Sequence, residues 1–208
     1  MTRNMNDRSG EVLRHTAGVP HEHHNVCAGM VAGMIGGLVG TWAMSQFQAL
    51  WSKVAENYES PSASGRHDAR DWQERSEGTN ANELAAQAIA TRTIDRALTR
   101  DELKIAAPAV HYAFGATIGA VYGGLAETSC SVRALNGAAF GTAVWGGADE
   151  IAVPMLGLSK PNAEYPLEAH AQAVAAHIVY GVTTELVRRA VRPLMSRERR
   201  PERPALQH

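Results

Sequence analysis

Long uncharged stretches alternate with densely charged ones along this chain, and the alternation predicts its elements. From Asn25 to Ser52 (NVCAGMVAGMIGGLVGTWAMSQFQALWS) there is no Asp, Glu, Lys or Arg. A bilayer-crossing helix needs about 20 mostly apolar residues, so residues 25–52 are predicted as the first transmembrane helix. Trp42 and Trp51 lie towards its far end, where amphipathic rings favour the headgroup layer. Ile105–Ala126 is also uncharged and long enough to span. Two weaker blocks follow: Ala134–Leu158, if Asp149 and Glu150 are admitted, and Leu167–Val187, if His170, His177 and Glu185 are. Such residues cost roughly 2.5–3.5 kcal/mol each at the centre of a membrane helix. The expected fold is all-α: an integral membrane bundle of about four transmembrane helices, the first at 25–52 and the other three within 105–192.

The charged stretches read as parts outside the bilayer. Residues 53–104 carry eight Lys/Arg and ten Asp/Glu and include the loop signal SPSASG. Asn80 with Glu83 has the spacing of a capping box, and Leu84, Ala88, Thr91, Ile94 and Leu98 then recur at helical intervals. Thr99 with Glu102 repeats the capping pattern ahead of the second apolar block. This predicts a polar extramembrane insert with one amphipathic helix, lying on the bilayer surface or binding a soluble partner. Residues 1–24 are expected to be a disordered polar tail. They lack the apolar core and cleavage site of a secretory signal, and the run His21-Glu22-His23-His24 reads as a solvated tail rather than a cation site. Residues 193–208 form a basic tail.

Glycine spacing argues for lipid as the solvent. Gly29-Gly33-Gly37 and Gly36-Gly40, then Gly115-Gly119-Gly123 and Gly137-Gly141, all recur at four-residue (GxxxG) intervals. In a water-soluble helix each interior Gly costs about 1 kcal/mol against Ala. In a membrane the backbone stays helical and small residues let helices approach closely. The ridges are therefore expected to be helix–helix interfaces, within one bundle or between copies in a homo-oligomer.

Composition narrows the function classes. The chain has 208 residues, 20 Lys+Arg against 21 Asp+Glu and a formal charge of −1, which argues against a polyanion binder driven by overall charge. Cys27 and Cys130 are too few for a disulfide framework and lack zinc-site spacing. Basic residues set the orientation: Arg188, Arg189, Arg192, Arg197, Arg199, Arg200 and Arg203 crowd the C-terminal end. By the positive-inside rule that end is cytoplasmic; four spans then place the N-terminus inside and residues 53–104 outside. The arginines suit anionic membrane lipid; without interleaved aromatics they do not read as a nucleic-acid site. No P-loop and no G-x-S-x-G context occurs, so the chain is expected not to be an enzyme.

Four segments carry a family resemblance: GLVGTWAMSQFQ in the first block, HYAFGATIGAVYGGLAE from His111, NGAAFGTAVWGGADEIAVPMLGLS from Asn136, and EAHAQAVAAHIVYGVTTELVRRAVR from Glu168. Together they resemble the YagU-like family of bacterial inner-membrane proteins. The most specific pieces are the P-M-x-G-L turn at Pro154–Leu158 and the grouping of His177, Glu185, Arg188 and Arg189. The resemblance implies a multi-pass protein of the bacterial inner membrane and supplies no catalytic residues.

Ionisable groups inside a membrane mark functional candidates. At about 1.5 Å per residue, His111, Glu150, His170 and His177 all fall in the outer half of the bundle. His170, His177 and Glu185 share one arc of the last helix, and Tyr122 shares the face of His111. Three readings stay open. In the first, His111, Tyr122, Asp149, Glu150, His177 and Glu185 line a polar path or proton relay. In the second, His111, Glu150, His170 and His177 ligate a divalent metal, since imidazole plus carboxylate suits zinc or iron. In the third, they are hydrogen-bonded packing residues. No organic cofactor is expected.

Overall fold

The structure, a computed structural model, describes residues 25–58, 79–156 and 167–197, and all of their regular structure is helical. The N-terminal tail with its histidines, the SPSASG segment and the C-terminal tail beyond residue 197 lie outside the described residues. Helix α1 (Val26–Tyr58) begins where the Asn25 side chain accepts the Ala28 N–H at 3.2 Å. With 33 residues it is about 50 Å long, well over the ~30 Å apolar core of a bilayer. It carries the first apolar block past Ser52 into the charged segment.

Helix α2 (Thr79–Ile94) stops at Asp95, whose φ of 53° turns the chain out of the right-handed helix. Leu98 therefore does not continue the apolar face predicted for α2; its backbone N–H instead donates to the Gln87 side-chain oxygen at 2.9 Å. That face is also not the packed one: Leu84 and Ile94 are exposed, whereas Ala86 and Ala90 are buried where α2 folds back on α3. The connection is only five residues long (95–99), so the helices must lie close, which suits alanine.

Helix α3 (Arg100–Thr128) opens with the predicted capping box: the Glu102 N–H bonds to Thr99 Oγ1, and the Glu102 carboxylate accepts the Thr99 N–H at 2.8 Å. Pro108 lies inside this helix, and its missing N–H frees the Lys104 carbonyl. A 3-10 segment (Ser131–Gly137) then leads to α4 (Ala138–Gly147), a π turn (Ala148–Ala152) and a last helical turn (Val153–Met155). The third apolar block thus becomes helical at Ala138, not Ala134. Leu135, Asn136 and Gly137 all have positive φ, 52°, 53° and 91°, which no right-handed helix accommodates. Gly157 and Leu158 of the P-M-x-G-L turn lie outside the described residues. Helix α5 (Leu167–Arg197) completes the bundle.

Glycines set the packing. Gly29, Gly33 and Gly37 of α1 meet Gly123, Gly119 and Gly115 of α3, an antiparallel seam of bare backbone. A β-carbon at Gly33 would lie 2.7 Å from the Gly123 Cα, closer than real contacts allow. On the other side of α1, Gly36 and Gly40 receive Thr184 and Tyr180 of α5, again antiparallel. Gly137 and Gly141 then press against Gly181 and His177, which fixes α4 against α5. Gly181 is the α5 partner that four-residue glycine spacing does not reveal. The Tyr122 ring stacks on Phe140 at 4.2 Å, which in turn meets Tyr180 at 5.9 Å and closes the bundle between α3, α4 and α5.

The bundle is inside-out by the standard of a soluble protein. Buried hydrophobics are alanines with Met44, Tyr122 and Tyr180, and beside them lie buried Thr41, Gln48, Ser52, Gln172, His177, Thr184, Glu185 and Arg188. The large apolar side chains face outwards: Met30, Met34, Leu38, Trp42, Leu50 and Trp51 on α1, Phe114, Val121 and Leu125 on α3, and Ile178 and Leu186 on α5. Thr41, Ser52 and Thr184 donate to carbonyls four residues back at 2.8–3.0 Å, so their buried hydroxyls are satisfied within their own helices. By length and composition α1 and α3 are apolar enough to cross a membrane. The other two expected spans fall short of that measure: α4 has ten residues, and the apolar run of α5 is diluted by Glu168, His170, Gln172, His177 and Glu185.

Candidate functional site

Antiparallel packing gathers the ionisable residues into two clusters at opposite ends of the bundle. The first lies where the C-terminal end of α4 meets the start of α5. Gly146 and Gly147 have no neighbour within 4 Å, and the helix widens directly after them into a π turn closed by Val153 N–H donating to Ala148 O. Such wide turns re-aim side chains and recur at functional sites. This one directs Asp149 and Glu150 at the same partner helix. Glu150 Oε1 lies 2.9 Å from His170 Nδ1, and Asp149 Oδ2 lies 3.7 Å from His177 Nε2.

The two histidines are held differently. A carboxylate only accepts, so His170 Nδ1–H donates to Glu150. His177 Nδ1 donates to the Ala173 carbonyl at 2.9 Å, which leaves Nε2 turned towards Asp149. At 3.7 Å that contact exceeds hydrogen-bond length; it becomes an ion pair when the imidazole is protonated. His177 is nearly buried, while about two-fifths of the Asp149 side chain is exposed (9% and 41%). His111 of α3 lies within electrostatic reach of His177. It also lines a cavity of about 270 Å³ between α1, α2 and α3, with Gln48, Asn82 and Tyr112. Trp145 sits edge-on to His170 at 6.4 Å, and its buried Nε1–H has no partner among the described residues.

The second cluster lies at the other end of α5. Glu185 is fully buried and accepts Arg188 Nε at 2.7 Å, Arg188 Nη2 at 3.1 Å and Arg189 Nε at 2.6 Å. Glu127, at the end of α3, accepts Arg192 Nε and Nη2, both at 2.9 Å, and Arg188 Nη1 at 3.3 Å. Arg189 Nη1 reaches the Asn136 side chain at 3.1 Å. Tyr122 belongs here rather than with His111. It is fully buried, turned towards Glu185, and its hydroxyl makes no hydrogen bond of acceptable geometry among the described residues.

Of the sequence candidates, Asp149, Glu150, His170 and His177 are brought together, with His111 nearby. Tyr122 and Glu185 are about 12 Å away along α5, eight residues on from His177 at 1.5 Å each. The Tyr122–Phe140–Tyr180 stack fills the space between. The four proposed metal ligands do not converge: among the described residues no group of three or more His, Cys, Asp or Glu is placed to hold a metal ion. Glu127 and Asn136 escaped the sequence reading. Glu127 was still legible as the first charge after an uncharged helix, at the end where antiparallel packing puts the arginines.

No curated protein and no solved structure matches this chain. Its family does emerge, and the YagU-like resemblance agrees with it. Residues 80–186, which run from α2 through the histidine cluster to Glu185 and Leu186 and stop short of the arginines of the second cluster, match the family described as "Protein of unknown function (DUF1440)"; they make up just over half of the chain, which therefore belongs to that family.

Proposed function

We propose that the protein is a multi-pass inner-membrane bundle of four helices whose Asp149–Glu150–His170–His177 cluster binds and relays protons in its outer half. One observation carries the membrane reading: small and polar residues fill the interior, and Met, Leu, Val, Phe and Trp side chains coat the outside. Water would penalise that arrangement, since large exposed apolar surfaces drive association. Lipid favours it, because close glycine packing and buried hydrogen bonds then hold the helices together. Helix α5 crosses as the fourth span: its buried Glu185 is met by Arg188 and Arg189, and its arginines all lie towards the cytoplasmic end. The basic end lies in the cytoplasm.

The relay reading rests on the mismatch between the two acid–histidine pairs. Glu150–His170 is closed by a hydrogen bond, whereas Asp149 and His177 stand just too far apart to share one. Taking up a proton on His177 Nε2 creates the missing donor. Asp149, the more exposed partner, connects that nitrogen to the surface.

Sidedness and chemistry are tested separately. Cys27 and Cys130 are free and exposed at the basic end. A membrane-impermeant maleimide should label both in inverted vesicles and neither in intact spheroplasts. A cysteine placed at Thr91 should show the opposite pattern. For the relay, Trp145 reports on His170 by contact: its emission should fall with acidification as the imidazole becomes charged, and His170→Gln should remove that response. In reconstituted vesicles, His177→Ala and Glu150→Ala should abolish a pH-gradient-driven flux; wild-type flux in both variants overturns the relay.

A further inference from the structure

The basic end of the bundle has more guanidinium than its carboxylates use. Among the described residues, Arg188, Arg189 and Arg192 pair with two glutamates, Glu127 and Glu185, and Arg133 pairs with neither, an excess of two positive charges. Arg188 is buried and spends its donors on both carboxylates, and Arg192 is bidentate to Glu127. The excess therefore sits on Arg133 and Arg189. Arg189 is about half exposed (47%); it bonds Glu185 through Nε and Asn136 through Nη1, and its Nη2 has no protein partner among the described residues. Arg133 bonds only the Cys130 sulfur, at 2.9 Å, and meets no carboxylate there.

The short segment that carries Arg133 also reaches Arg189 of α5. Asn136, which holds Arg189, is three residues from Arg133, and Leu135 between them is 76% exposed at a positive φ. A left-handed leucine is costly, and this one points an apolar side chain away from the protein beside two underused cations. Leu186 and Leu194 are exposed on the neighbouring face of α5. A ligand that fits must be anionic at one end, to accept two planar N–H forks, and apolar along the rest.

From this juxtaposition we propose a built site for an anionic phospholipid. Its phosphodiester is held between Arg133 and Arg189, and its acyl chains run along Leu135 and Leu186. Bidentate guanidinium–phosphate geometry favours arginine over lysine there. The proposal rests on the membrane reading given above, and the experiment separates the two.

Full-length protein in a mild detergent is titrated with phosphatidylglycerol or with phosphatidylcholine of the same acyl chains, and bound lipid is counted by native mass spectrometry. Wild type should prefer phosphatidylglycerol by about 30-fold, the ratio expected for two basic residues at a lipid surface. Arg133→Gln, which disturbs no carboxylate pair, should cut that preference about fivefold. The double variant with Arg189→Gln should bring it close to one, with helical content unchanged. Replacing both by lysine should recover only part. Equal binding of the two lipids by wild type, or an undiminished preference in Arg133→Gln, overturns the site. Insertion into pure phosphatidylcholine vesicles is scored alongside: a protein that inserts without lipid preference loses only this site, while one that stays in the aqueous phase overturns the membrane reading itself.

Discussion

At one end of α5 the carboxylate of Glu185 is fully buried and receives three N–H donors from Arg188 and Arg189. At the other end His177, almost as buried, faces Asp149 across 3.7 Å with no hydrogen bond between them. Both ends place charge-bearing groups inside the bundle, where uncompensated charge is very costly. The arginine end resolves that cost by saturation: each carboxylate is forked by guanidinium groups that stay ionised at all working pH values. The histidine end leaves one contact open, between an imidazole and a carboxylate that share no hydrogen bond. A saturated cluster fixes geometry; an unsaturated one can change state.

The largest effect expected from breaking this contrast is at the saturated end. Arg188→Met removes two of the three donors to a buried carboxylate and should cost about 3–5 kcal/mol, the typical price of stranding one partner of a buried pair. Adding Glu185→Gln should restore most of it. Thermal unfolding in detergent, followed by circular dichroism, reads both. Full stability in the single variant would show that Glu185 is hydrated rather than buried.

Next comes the seam that keeps the two ends in register. Gly119→Ala places a methyl group 2.7 Å from the Gly37 Cα and should cost about 1–3 kcal/mol by forcing α1 and α3 apart. Gly146→Ala meets nothing within 4 Å and should be neutral or stabilising in the same assay. Equal effects would mean that the seam is looser than its geometry.

At the open end, Asp149→Asn should change stability by no more than about 1 kcal/mol, because it removes a contact that is not a closed hydrogen bond. It should nevertheless flatten the pH dependence of amide exchange around residues 145–153. A large loss of stability would instead place Asp149 with the saturated type.

A solvent-side pair supplies the smallest effect and a reference for both. Ahead of the apolar stretch at 105–126, Arg96 forks the partly exposed Glu102 in the first turn of α3 at 2.6 and 2.8 Å. The Arg96 side chain, followed by the Thr99 backbone N–H, holds the Glu102 carboxyl down to about 2. A lowered carboxyl contributes stability above its unfolded value of roughly 4.3 and loses it as pH falls further. Amides of residues 99–103 should therefore gain exchange protection between pH 2 and about 5 and then level off. Glu102→Gln should flatten that rise.

Much of this was legible in the chain because helices packed through glycine write simple patterns. Four-residue glycine spacing located both faces of α1, and Thr99 with Glu102 marked the start of α3. What escaped depended on partners. Leu98 fits the α2 periodicity, yet a left-handed Asp95 ends the helix first. Tyr122 fits the face of His111, but eleven residues carry it to the opposite cluster, which only the antiparallel arrangement explains. Glu127 and Asn136 find their partners on α5, more than fifty residues away. The π turn that aims Asp149 and Glu150 has no sequence signature beyond the two glycines before it.

Helix α1 has glycine grooves on two sides, one filled by α3 and the other by α5. The ribosome makes α1 well before α5, so the second groove waits empty until α5 follows. Any chain that ends early, before Thr184 and Tyr180 are made, exposes naked backbone to its surroundings. Docking of α5 is thereby what completes the packing of α1.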